Sequence, residues 1–340
     1  MSAGLKPLLK PLAAGARLNA SEMTAAMDAI LDGAASETEI AGFLMAIAAR
    51  SPSPEEITAA ARALRARART IAAPADCVDT CGTGGDGGAT FNISTAAALI
   101  AAGAGVRIAK HGNRAVSSKS GSSDVLSALG VNINAPLERV ERAIAEVGVG
   151  FLFAPNHHPA VKHAAAARQA LGVRTLFNII GPLANPAGAK RQVLGVYSAD
   201  LLTPVAEALR ELGSERALVV HGSDGLDEIT LTGSTSIAEL KTDGSIERYE
   251  VSPDIFGIGC CNINDLEGGG PIENAHIVRA ILTGELGPRR DVAVLNAAAA
   301  IWMSGLSPDL KNGTQIAVNA IDSGASISKL EALAEATRDA

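Results

Sequence analysis

Between Cys81 and Gly130 two segments rich in glycine and serine stand one short helical stretch apart, and their residue types suit the binding of anions. The first runs Gly82-Thr83-Gly84-Gly85-Asp86-Gly87-Gly88 and continues through Thr90 to Asn92-Ile93-Ser94-Thr95. The second runs Lys110-His111-Gly112-Asn113-Arg114-Ala115-Val116-Ser117-Ser118-Lys119-Ser120-Gly121-Ser122. Glycine lets backbone N–H groups approach an anion closely, and a following helix adds the positive end of its dipole. Two such loops in tandem, the second with Lys110, Arg114 and Lys119, fit a ligand with two separate phosphate groups. Gly82-x-Gly84-x-x-Gly87 matches the dinucleotide fingerprint literally. The acid expected about 20 residues later is missing, because that region reads Val106-Arg107-Ile108-Ala109-Lys110. The Walker pattern, with Lys-Ser/Thr directly after the last glycine, is also missing.

Asp227 and Glu228 are adjacent acids just past a strand-like run and the turn Gly222-Ser223-Asp224-Gly225. Alone, such a pair reads as a solvated loop. Beside a phosphorylated ligand it suits magnesium, which takes one or two carboxylates and completes its shell with substrate oxygens and water. Arg168 lies on a helical stretch after His163, where most arginines are solvated.

The positioning elements alternate. Residues 1–73 read as helices, with capping boxes at Ser36…Glu39 and Ser53-Pro54-Glu55-Glu56 and helical spacing of Ile40, Phe43, Leu44 and Ile47. The alanine- and arginine-rich stretch Ala59–Arg69 continues the helical pattern, and Ala72–Ala75 is a linker. From Val78 onward, strand-like runs at Val78–Thr80, Val106–Ala109, Phe151–Ala154, Gln192–Val196 and Ala217–His221 alternate with helical stretches such as Leu137–Val147 and Pro204–Leu212. The pattern predicts an α/β fold: a small all-helical N-terminal domain, and a larger domain, residues 74–340, with a doubly wound, mostly parallel sheet. Ile229–Leu231, Ser236–Leu240 and Ile246–Val251 are expected to form an antiparallel meander at one edge. Helices are expected at Ala96–Ala102 and Asp124–Leu129, and again from Glu273 onward. In the N-terminal helices Leu8, Leu9, Leu18, Met23, Met27 and Ile30 have no obvious cover within their own ~70 residues, which predicts a homodimer through this region.

Composition excludes other classes. A net charge of −7 leaves no broad basic surface for nucleic acid or anionic membrane, and 3% aromatic residues supply few stacking platforms. No apolar run reaches the ~18 residues needed to span a bilayer. Cys77, Cys81, Cys260 and Cys261 form no zinc-type pairs and suit the reducing cytoplasm. Pro7, Pro11 and Gly15 interrupt the basic N-terminus, which therefore reads as the start of a mature cytosolic protein rather than a targeting segment.

Gly82-Thr-Gly-Gly-Asp86, Asn92-x-Ser-Thr95, Lys110-His-Gly-Asn-Arg114 and Ser117-Ser118-x-Ser-Gly-Ser122 resemble the signature of the anthranilate phosphoribosyltransferase family. So do His157-His158-Pro159, Leu171–Thr175, Asn178-x-x-Gly-Pro-Leu-x-Asn-Pro186 and His221–Glu228, so the likeness extends along nearly the whole chain. The resemblance implies a nucleoside phosphorylase/phosphoribosyltransferase-like fold, with helices from about 160–188 joining the small domain. It also implies transfer of the phosphoribosyl group of 5-phosphoribosyl 1-diphosphate to anthranilate, in tryptophan biosynthesis, by a magnesium-dependent homodimer. The donor substrate would be held by Gly82, Gly85, Asp86, Thr90, Asn92, Ile93, Ser94 and Thr95. Lys110, His111, Gly112, Asn113, Arg114, Ala115, Val116, Ser117, Ser118 and Ser122 would complete its site. Anthranilate would meet Gly82, Asn113 and Arg168, with His111 at the flank; His157 and His158 read as structural or channel-lining. Magnesium would be held by Ser94, Asp227 and Glu228, and no side chain would act as nucleophile. Departures from the family pattern are Ser123 in place of alanine, Ala166 in place of a frequent proline, and Gln169-Ala170 in place of a basic and an acidic residue. The rival readings are a pyrimidine-nucleoside phosphorylase and a non-catalytic nucleic-acid-binding relative of the same fold.

Overall fold

The computed structural model describes residues 4–84, 90–114 and 119–338. The chain opens with four helices, α1 (Lys6–Ala13), α2 (Ala20–Leu31), α3 (Glu37–Ala48) and α4 (Pro54–Arg65). Both expected capping boxes form, and Asn19 with Glu22 makes a third. Glu56 does more than cap. Fully buried, it accepts from the N–H groups of Ser53 and Leu18, each at 2.8 Å, and takes a two-pronged bond from Arg50 at 2.5 and 2.9 Å. It thereby ties the α1–α2 connection to the start of α4. Helix α4 stops at Arg65, short of the expected Arg69.

The expectation that the N-terminal apolar residues lack cover needs correction. Leu18, Met23, Met27 and Ile30 are buried within this chain, in one apolar cluster with Ala164, Leu176, Ile180 and Leu183. Part of their cover comes from α4, and part from more than a hundred residues downstream, around Ala164. Leu8 and Leu9 stay partly open.

The remainder is a seven-stranded sheet of β1 (Val78–Gly82), β2 (Ile108–Gly112), β3 (Val149–Phe153), β4 (Arg191–Gly195), β5 (Arg216–Gly222), β6 (Thr235–Leu240) and β7 (Ile246–Val251). Their order is β3-β2-β1-β4-β5-β6-β7; the first five are parallel, and β5-β6-β7 run antiparallel. The meander expected at one edge is therefore built from β5, β6 and β7. Ile229–Leu231 is not a strand, because side chains take its backbone groups. Asn296 binds both the N–H and the carbonyl of Ile229 at 2.9 Å, and Thr235 Oγ1 accepts from Thr230 N at 3.0 Å.

Helices cover both faces: α5 (Ile93–Gly103), α6 (Ser122–Ala128), α7 (Leu137–Arg142), α8 (Ala154–His157), α9 (Ala165–Leu171), α10 (Leu176–Ile180), α11 (Leu202–Glu211), α12 (Pro271–Leu282), α13 (Pro288–Ser304), α14 (Leu310–Asp322) and α15 (Ala325–Thr337). The helix expected over Leu137–Val147 changes to a π-helical turn at Ala143 and ends on Gly148, whose φ of 90° closes it. The period of two along β5 divides the interior. Leu218 and Val220 join the core beneath α5 and α13, whereas Ala217 and Val219 join the cluster that also holds Met27 and Leu64 of the N-terminal helices. Chain direction reverses its order across β1, which lies between β2 and β4. The carboxyl ends of these strands frame a crevice at this switch point, where open α/β sheets bind ligands.

Candidate active site

Two strand ends need glycine for a steric reason. A Cβ on Gly82 would run into Asp227 Oδ2, and one on Gly195 into the Asp227 carbonyl. The loop after β5 can therefore lie directly over the ends of β1 and β4. Asp224 locks that loop: its carboxylate accepts from the hydroxyls of Thr230 and Thr232 at 2.5 Å each and from Leu226 N at 3.1 Å. The loop so fixed carries Asp227 and Glu228. Gly84, in the left-handed region at φ 74°, donates its N–H to Asp227 Oδ2 at 2.8 Å. Glu228 Oε1 accepts from Ser94 N, in the first turn of α5, at 3.2 Å.

Lys110 completes this end of the crevice. It is 4% exposed, and its ammonium donates to Ser94 Oγ at 3.2 Å and to the Thr80 carbonyl. Burial pushes the Lys110 ammonium down, while Asp79, Cys81, Glu228 and Asp227 pull it back up. Asp79 is fully buried in β1 and accepts from His111 N at 3.0 Å; burial pushes its carboxyl up against that bond and the nearby Lys110 charge. Lys110 and Asp79 thus bring compensating charges into the sheet.

Arg168 of α9 stands at the other end. It lies over the Phe177 ring, 5.2 Å from the centroid. Burial alone lowers its pKa, yet arginine stays charged in proteins. Among the described residues no carboxylate pairs with it. A half-buried guanidinium with no acid beside it is set up for an anionic ligand. His111 is 7% exposed, with Nε2 unbonded, and its ring centre lies 5.1 Å from that of His158. Burial and the two neighbouring histidines hold His111 well below its usual range, and His158 is pushed down to about 4. His157 binds the Arg69 carbonyl through Nδ1 at 2.7 Å.

The two ends share one cavity of about 310 Å³. Of the residues singled out in the sequence, it is lined by Gly82, Thr90, Asn92, Ile93, Ser94, Lys110, His111, Gly112, Asn113, Arg114, Ser122, Arg168, Asp227 and Glu228. Thr95 is not among them; it is 1% exposed in the interior, with its hydroxyl unbonded. Gly85, Asp86, Ala115, Val116, Ser117 and Ser118 lie outside the described residues. Asn92 differs from a plain cap: it begins α5, but its side chain makes no capping bond. Instead its Nδ2 donates to the Ser120 carbonyl at 3.2 Å. Phe177, Asn178, Gly181 and Pro182 also line the cavity. The motif around Asn178 was visible in the sequence; nothing local tied it to this wall. Asn274, which meets Asn92 from α12, carried no sequence signal at all.

Two carboxylates and the Ser94 hydroxyl face one polar cavity, an all-oxygen donor set that fits magnesium. No cluster of three or more His, Cys, Asp or Glu able to hold a metal occurs among the described residues. A metal here would therefore need ligand and water oxygens to complete its shell.

A two-part architecture with this crevice defines a glycosyl transferase. Residues 6–68 match the family described as "Glycosyl transferase family, helical bundle domain", and residues 74–327 match "Glycosyl transferase family, a/b domain". Within that class the chain belongs to the anthranilate phosphoribosyltransferase family, as the motifs led us to expect. It is 53% identical over 316 residues to the anthranilate phosphoribosyltransferase of Maricaulis maris, covering 93% of each chain. The crystal structure of anthranilate phosphoribosyltransferase from Thermus thermophilus superposes with a TM-score of 0.91 at 45% identity, over 97% of this chain and 99% of that one. The Saccharomyces cerevisiae enzyme in complex with PRPP and Mg superposes with a TM-score of 0.88 at 28% identity, over 98% and 97%.

Proposed function

We propose that this chain transfers the phosphoribosyl group of 5-phosphoribosyl 1-diphosphate to anthranilate, giving N-(5-phosphoribosyl)anthranilate and diphosphate. One observation carries the reading. A single cavity has a buried lysine, a serine and two carboxylates at one end, and at the other an arginine with no acid among the described residues. The first end suits a metal-bound diphosphate and the second a carboxylate. The pyrimidine-nucleoside phosphorylase and nucleic-acid-binding readings have no observation in their favour.

In this reading Ser94, Asp227 and Glu228 would hold magnesium, which would supply positive charge to the departing diphosphate. Lys110 and the backbone donors of the two glycine-rich segments stabilise the charge that develops as diphosphate leaves ribose C1. Arg168 takes the anthranilate carboxylate in a planar, two-pronged contact, with Gly82 and Asn113 beside it, and so aims the amine at C1. An aromatic amine is already neutral at pH 7, so no strong base is required. The low pKa values of His111 and His158 leave them neutral, which suits a wall rather than an acid.

We also assign the chain to a cytoplasmic homodimer, its contact at the partly open Leu8, Leu9 and Met45 of α1 and α3. Residues 1–73 with about 160–188 form its smaller domain, and the rest of 74–340 the larger. The activity test is direct: anthranilate fluorescence should fall when 5-phosphoribosyl 1-diphosphate and magnesium are added, with equimolar diphosphate released. Unchanged fluorescence with folded protein would refute the assignment.

A further inference from the structure

The stretch before α12 reaches back to the first glycine-rich segment. Phe91 N donates to the Leu266 carbonyl at 3.2 Å, and Thr90 bridges Glu267. A Cβ on Gly268 would strike the backbone of Phe91, so only glycine allows this approach. The contact brings Asn274, 1% exposed in α12, against Asn92, 182 residues earlier in the chain.

Hydrogen bonding sets both amide orientations. Gly269 N–H can only donate, and it meets Asn274 at 2.7 Å, so that atom is the carbonyl oxygen. The other end of Asn274 is therefore its NH2, which donates to Asn92 at 2.9 Å and makes that atom Oδ1. The Asn92 NH2 is then the group that meets the Ser120 carbonyl of the second segment at 3.2 Å. One N–H of Asn92 is used there. The remaining one belongs to a side chain that lines the cavity, so Asn92 offers the cavity a donor, the correct sign for an anion.

We infer that Asn274 is a positioning residue for the phosphoribosyl donor: it fixes the Asn92 amide so that both glycine-rich segments are joined and an N–H is kept for the anionic substrate. This rests on the reading above that Asn92 faces the donor. Asn274→Asp is nearly isosteric and still accepts from Gly269, but it sets an oxygen against Asn92 Oδ1. The Asn92 amide must then turn over, which places its oxygen where a donor stood.

The test is a double-mutant cycle on the donor KM and on donor affinity by calorimetry, using Asn92→Ala, Asn274→Asp and the pair. Each single variant is expected to raise the donor KM about tenfold, a lost hydrogen bond to a charged group. The KM for anthranilate should stay within about twofold. In the Asn92→Ala background, Asn274→Asp should add less than about twofold, because its route is already cut. A full effect persisting in that background would mean that charge repulsion or loosening is at work, and would overturn the inference. A normal donor KM in Asn274→Asp beside a raised one in Asn92→Ala would overturn it alone. A normal donor KM in Asn92→Ala would overturn the placing of Asn92 at the donor. Asn274→Ala adds no charge and should move the donor KM in the same direction, which keeps the test open if the aspartate variant folds poorly.

Discussion

Replacing Arg168 with alanine separates binding from stability at one residue. In the folded chain the guanidinium makes no ion pair among the described residues and lies over the Phe177 ring, 5.2 Å from its centroid. For stability two terms oppose each other. Losing the cation–π contact costs about 0.5–1 kcal/mol, and removing a desolvated charge returns a comparable amount. The melting midpoint should therefore shift by less than about 3 °C in either direction. For catalysis nothing offsets the loss. A charge-assisted hydrogen bond to a carboxylate contributes roughly 1.5–3 kcal/mol, so kcat/KM for anthranilate should fall roughly 10- to 150-fold. Arg168→Lys should recover only part of this, because an ammonium lacks the planar fork. The assay is initial-rate loss of anthranilate fluorescence, with each substrate varied in turn, beside a thermal melt. The KM for the phosphoribosyl donor should hardly move. Equal damage to both substrates, or a large drop in the melting midpoint, would refute the argument and make Arg168 a structural residue.

Asp227→Asn with Glu228→Gln keeps an acceptor for Gly84 N and Ser94 N, so the fold should persist. The magnesium concentration for half-maximal rate should rise at least about tenfold, and an unchanged magnesium titration would remove the pair from the site. Ser123 is fully buried with its hydroxyl unbonded, so Ser123→Ala should stabilise by about 1 kcal/mol in urea unfolding; a loss of stability would mean that the hydroxyl has a partner. His158 has a folded pKa of about 4, below its unfolded value near 6.5. Between these the unfolded chain binds the extra proton, so stability falls as pH drops through that window, by about 3 kcal/mol in all. Urea midpoints of wild type and His158→Gln between pH 7 and 4 should differ in slope by that one proton. Parallel slopes would show that His158 is not held neutral.

The legible parts of this protein were those written locally. Ser36 with Glu39 and Ser53 with Glu56 carry their helix starts within four residues, and both boxes form as read. The strands of the sheet are legible to within a few residues because most are short apolar runs between turn residues, and β7 interleaves apolar with charged ones. What failed depended on distant partners. Ile229–Leu231 has a strand's composition, but Asn296, 67 residues on, occupies its backbone. Met23 and Met27 read as uncovered because α4 supplies only part of their cover and the rest lies around Ala164, far along the chain. The motifs marked most of the cavity wall in advance, since glycine, lysine and serine needed there stand close together in sequence. Thr95 was grouped with its neighbours, yet a helix turns successive residues by about 100°, and this one faces inward. Asn274 could not be found from one chain read in order, because a solitary asparagine on a helix is ordinary until Asn92 is beside it.

The apolar cluster shared between the N-terminal helices and one face of the sheet has a bearing on how the chain could be taken apart. Met27 and Leu64 on one side and Leu194, Val219 and Leu240 on the other belong to one buried cluster, joined through α11, which packs on both α4 and the strands β5 and β6. Arg62 and Arg65 fasten the seam by donating to the carbonyls of Glu211, Leu183 and Leu212 at 2.7 to 3.1 Å. The sheet keeps one core beneath α5 and α13 that is entirely its own, but this second cluster draws on both sides of residue 73. A chain cut near residue 73 would leave two sticky fragments, and the helices and the sheet should instead melt together, as a keystone and its arch come down at once.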